Sequence, residues 1–149
     1  MLIEVLRNIF KRDLEKLEQE ISAYAIDANL WVVEKNIANS GGNLCLHLIG
    51  NLKTFIGKEL GGFNYTRDRD AEFATKGVQR NVLLAAIVET REMVDSSLAK
   101  LKQDDLSRMF PVQVFSERTT IEYMLVHLAT HLTYHLGQIN YHRRLLDHD

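Results

Sequence analysis

The chain predicts an all-α protein, a four-helix bundle. Three observations carry that prediction. Apolar residues recur at helical spacing in four long segments. Proline occurs once, at Pro111, while the strong helix formers Ala, Leu, Glu and Lys are common. Glycine-rich and polar breaks fall between the periodic segments.

The first helix is expected over 2–25. Leu2, Val5, Leu6, Ile9, Phe10, Leu14, Leu17, Ile21 and Tyr24 form one apolar stripe with charges opposite. Asp27, Ala28 and Asn29 weaken the helix, and the β-branched and aromatic residues crowded into 30–33 predict an extended piece. Residues 39–42 (Asn-Ser-Gly-Gly) read as a break, with Asn39 or Ser40 able to cap the next helix. That second helix is expected over 43–60, closed by Gly61 and Gly62.

Residues 63–77 are polar and read as a long loop, of a length often associated with function. The third helix is expected over 78–102, with Val82, Leu83, Ala86, Ile87, Thr90, Val94, Leu98 and Leu101 facing inward. A second long connection, 103–118, holds Pro111 and a candidate extended piece at 112–115. Thr119 or Thr120 caps the last helix, which runs to about Leu146. Two long connections imply a bundle that is not simply up-down-up-down.

The length of 149 residues predicts a single domain, 1–149, large enough for a core without staples. A net charge of −2 with no basic stripe argues against nucleic-acid binding. One cysteine, Cys45, excludes an internal disulfide framework and fits the cytoplasm. The first residues lack the apolar run of a signal peptide, and no apolar run approaches the ~18 residues of a membrane span.

The chemistry lies in the histidines. His127, His131 and His135 recur every fourth residue, on one helix face. His47 lies far upstream in an apolar helix. Two imidazoles at i and i+4 plus one from a facing helix form a three-cornered cradle for a divalent ion. His131 and His135 make the better pair, beside Leu128, Leu132 and Ile139; His127 ranks third, as an alternative ligand or a supporting group. A single histidine on an apolar face is ordinarily a hydrogen-bonded core residue. Three in register shift the balance, because burying several unpartnered imidazoles is costly.

Gly137 within this helix suggests the close approach of another element, with a tolerated accident as the alternative. His142 reads as structural or surface, and His148 as tail. Gln138 and Asn51 stand one turn from the proposed ligands, placed to orient an imidazole or meet a substrate. Asp68, Asp70 and Glu72 are candidate bases or supporting carboxylates, Cys45 a buried structural thiol, Trp31 a core residue, and Tyr134 points to one side.

Three stretches together resemble one known group. They are NSGGNLCLHLIGNL at 39–52, RDRDAEF at 67–73 and THLTYHLGQI at 130–139. The chain is similar, in order and over most of its length, to the DinB/YfiT-like metalloenzyme superfamily. The resemblance implies a four-helix bundle of up-down-down-up topology, often a homodimer. It also implies a divalent metal, here held by His47, His131 and His135. Some members of the group resemble transferases and isomerases that use a low-molecular-weight thiol.

The functional expectation is a metal-dependent enzyme acting on a small molecule, by thiol transfer first and hydrolysis second. Zinc or nickel leads as the ion, with iron and others also suited to imidazole. The rival expectation is a non-enzymatic helical dimer with a structural metal or none.

Overall fold

A computed structural model describes residues 1–149. It is all-helical and contains no strand. Helix α1 spans Leu2–Ala23, α2 Gly41–Leu52, α3 Arg69–Ala74, α4 Arg80–Ala99 and α5 Ile121–Leu146. The four long helices enclose one apolar core, to which Phe10, Leu17, Leu48, Leu52, Ile87, Leu98, Leu128 and Leu132 contribute fully buried side chains. Helix α1 packs on α4 and α5, while α2 packs on α3, α4 and α5. No helix is long and apolar enough to cross a membrane.

Helix α2 is the central element, since eleven of its twelve residues are buried. Ser40 caps it, its hydroxyl accepting from the Asn43 amide. Gly41 and Gly42 therefore form its first turn and are not a break. Their missing side chains make room for neighbours: a Cβ on Gly42 would stand 2.7 Å from the Trp31 ring, and one on Gly41 would overlap the Tyr24 hydroxyl. The helix continues beyond Leu52 as wider π-type turns over Lys53–Lys58. It ends where Gly62 takes a φ of 73°, a value that favours glycine.

Several expectations change. Leu30 and Trp31 lie in a short 3₁₀ turn, Asp27–Trp31, with Leu30 buried, so the extended chain begins only at Val32. The 63–77 loop contains α3, because the Asp68 carboxylate accepts from the Ala71 amide and starts a helical turn. Val82 faces solvent, one position off the buried face of α4 that Leu83, Ile87 and Val94 define. Val112 and Val114 are exposed and pair with nothing; the one bridge in that connection joins Met109 to Thr120. Gly137 meets no other element within 4 Å, so close packing does not explain it.

His142 is structural, as one of the sequence alternatives held. It is only 6% exposed and ties three segments together. Its Nε2–H donates to the Val32 carbonyl at 2.8 Å, and its Nδ1 accepts from the Tyr24 hydroxyl at 2.7 Å. Burial lowers its pKa, against the partly offsetting bond to Val32. A histidine with a depressed folded pKa contributes stability that is fully present above its unfolded pKa of about 6.5 and is lost as pH falls from there through the folded pKa. Wild type is therefore expected to lose more thermal stability between about pH 7.5 and about pH 5.5 than His142→Gln does. Parallel losses in paired melting curves would remove His142 as the source.

Candidate metal centre

Helices α2 and α5 bring His47 against His131 and His135. The Nε2 atoms of His47 and His131 lie 3.2 Å apart, and those of His135 and His131 3.1 Å apart. One ligand atom from each of the three residues falls within 4.8 Å of the others, in an arrangement that could hold an ion. The neighbouring imidazole planes stand nearly perpendicular, at 72° to 89°.

The environment fixes which nitrogens face inward. His47 is 6% exposed, and its Nδ1–H donates to Glu72 Oε1 at 3.1 Å. His135 Nδ1–H donates to Gln138 Oε1 at 2.7 Å. Both rings therefore turn an Nε2 lone pair toward His131. His131 can donate a proton to only one of them, and its Nδ1 is buried without a partner. A cation gives all three lone pairs a common partner. Four-coordinate zinc with Zn–N of about 2.0–2.1 Å needs nitrogens roughly 3.3 Å apart, close to the two separations that His131 makes, with the third pair within 4.8 Å. The donor set fits a divalent ion.

Charge state agrees. Burial, reinforced by neighbouring His135, His47, His127 and Arg67, pushes the His131 pKa down to about 4. Burial also lowers His135, against the bond to Gln138. Neutral imidazole is the ligating form.

Glu72 is the supporting carboxylate. Arg67 grips it with two bonds, Nε to Oε2 at 2.9 Å and Nη2 to Oε1 at 3.0 Å. Burial opposes its charge, but the bonds from His47 and Arg67 and the Arg67 charge hold its pKa below the ordinary carboxylate value. Asn43 anchors the segment: its Nδ2 donates to the carbonyls of Glu72 and Thr75 at 2.9 and 2.7 Å, and its Oδ1 accepts from Lys76 Nζ at 2.6 Å. Gly50 on α2 leaves the surface against which the Glu72 carboxylate lies. Arg67 and Asn43 escape recognition in the sequence because their partners are distant backbone and side-chain groups. The only local signal is the Asp68 cap that turns 69–74 into a helix.

The other candidates separate cleanly. His127 lies outside the converging set; its ring stacks on His131 at 6.0 Å and meets Phe115 edge-on at 4.8 Å. Asp68 serves as a cap, and Asp70 is exposed. Cys45 is fully buried, and desolvation pushes its thiol up to about 12, which leaves it inert. Asn51 is buried beside the triad's helix turn with Oδ1 unpartnered. Trp31 is half-buried against the core, and Tyr134 is exposed.

No curated protein matches the chain. One family model, described as "Protein of unknown function (DUF1572)", matches residues 2–149, and that family sits in the DinB/YfiT-like clan. With the match running through both histidine helices and the α3 segment, the chain belongs to the DUF1572 family.

Proposed function

We propose that His47, His131 and His135 hold a divalent ion and that the protein is a metal-dependent enzyme acting on a small molecule, by transfer of a thiol. The convergence of three Nε2 atoms at 3.1 and 3.2 Å is the observation that carries this reading. Zinc or nickel suits the all-imidazole set first, and iron next. When bound, such an ion supplies Lewis acidity that lowers the pKa of a thiol or water brought to it.

The protein's own residues favour the thiol. Glu72 is committed to Arg67 and His47, so it is not free to take a proton from water. A thiol, with a pKa of about 8.5, needs less help than water to lose its proton. Glu72 orients His47, Gln138 orients His135, and burial keeps His131 neutral.

Hydrolysis is the second reading, favoured by His127. Its ring nitrogens form no hydrogen bond within the protein, and it stands one turn from His131, where it could hold a proton taken from water. The DinB-like resemblance further supports up-down-down-up helix order and a homodimer.

The test is turnover with zinc-loaded and nickel-loaded protein. Metal-dependent consumption of a low-molecular-weight thiol with an electrophilic substrate is expected. Thiol-independent cleavage of ester or amide substrates that fails in His127→Ala would favour hydrolysis. Metal-loaded protein inactive on both substrate sets would leave a structural ion in a non-enzymatic bundle.

A further inference from the structure

A cleft of about 590 Å³ lies beside the triad, between residues 34–39 and the C-terminal half of α5. His135 is the one triad member that also lines the cleft; His47 and His131 do not, so a molecule there lies against the His135 side of the centre. The volume falls in the ordinary range for small-molecule sites, about 300–1,000 Å³. Ile37, Tyr134, Tyr141 and Leu145 are exposed large apolar residues gathered on its walls. Glu34 and Lys35 are the only charged residues that line it, and their charges cancel.

Gln138 lines the same cleft, and the proposed ligand role of His135 sets how its amide is turned. A ligating His135 must keep its Nε2 lone pair, which puts its proton on Nδ1. That proton goes to Gln138 Oε1 at 2.7 Å. The Gln138 NH₂ group is therefore turned away from His135, and it makes no hydrogen bond within the protein. Two N–H donors remain for whatever occupies the cleft. An amide flipped the other way would present an acceptor, but it would force the proton onto His135 Nε2 and remove a ligand.

We infer that this cleft is the substrate site, and that it takes an aromatic or aliphatic carbonyl compound whose oxygen accepts from the Gln138 amide while its apolar body lies against Tyr141, Leu145 and Ile37. The inference rests on the metal reading proposed above, because the ion is what fixes the Gln138 amide. It assigns Gln138 two roles, positioning His135 and selecting an acceptor-bearing ligand.

The test uses full-length, zinc-loaded protein and two probes of the same skeleton, benzylacetone and its primary amine analogue, titrated calorimetrically with zinc content measured alongside. Benzylacetone is expected to bind about tenfold more tightly than the amine, which offers donors only. Gln138→Glu keeps an acceptor for His135 and should retain zinc, but it presents a carboxylate oxygen to the cleft. Benzylacetone affinity should then fall about tenfold or more, and the preference between the probes should reverse. Tyr141→Ala, at an exposed position, should weaken both probes with zinc unchanged. Equal affinities for the two probes, an unaltered preference in Gln138→Glu, or no binding to zinc-loaded protein each overturns the inference while leaving the metal reading intact. A wild type that takes up no zinc overturns the metal reading and this inference with it.

Discussion

Glu72→Gln is expected to weaken metal binding 10- to 100-fold although every proposed ligand remains in place. The carboxylate accepts from His47 Nδ1–H and from two Arg67 nitrogens at only 7% exposure. Glutamine has one acceptor oxygen for three donors. If that oxygen turns to Arg67, the amide NH₂ faces His47 Nδ1–H, donor against donor, and the ring loses its reason to aim Nε2 inward. If it turns to His47, the Arg67 charge, on a side chain only 15% exposed, loses its partner. Leaving one member of a buried pair uncompensated costs about 3 kcal/mol or more. Competition with a calibrated chelator measures the affinity, and urea unfolding of the metal-free protein measures the stability. Wild-type metal affinity in a folded variant would show that Glu72 does not orient His47.

Gly50→Ala is expected to act at the same place from the opposite side. Alanine in a helix interior normally stabilises by about 1 kcal/mol over glycine. At position 50 the added Cβ would overlap Glu72 Oε2 and stand 2.6 Å from its Cδ. The carboxylate cannot simply swing clear, because Arg67 and His47 both hold it. Net destabilisation of about 1–3 kcal/mol should result, with weaker metal binding as Glu72 is displaced. Gly137→Ala is the internal control. It also lies in a helix, meets nothing within 4 Å, and should stabilise by up to about 1 kcal/mol. If Gly50→Ala stabilises as Gly137→Ala does, the packing of Glu72 on α2 is wrong.

These two residues mark the limit of what the sequence discloses. The long helices were legible because each presents its own evidence: period, caps and breaks lie within the segment. The histidine set was legible for a related reason. Spacing of four fixes His131 and His135 on one face, and a lone histidine in an apolar helix can only look for partners across the core. The Arg67–Glu72–His47 chain was not readable as a contact, because it depends on a six-residue helix that Asn43 pins from another element. Gly41 and Gly42 read as a break, and nothing in the sequence singles out Gly50. Their reasons are Tyr24, Trp31 and Glu72, each distant in sequence. Gly137 erred the other way, since a costly residue suggested a close neighbour and none is there. Residues 30–31 depart from the extended reading of 30–33 because β-branched and aromatic composition fits a half-buried surface generally, and here burial of Leu30 in a 3₁₀ turn supplies that surface.

The central claim is that three converging imidazoles hold one divalent ion. Elemental analysis of purified wild type beside the His47→Ala, His131→Ala, His135→Ala triple variant tests it most directly, with circular dichroism confirming that the variant is folded. Near-stoichiometric metal in wild type and none in the variant is the predicted result. Equal metal in both, or none in either after incubation with zinc and nickel, would contradict it.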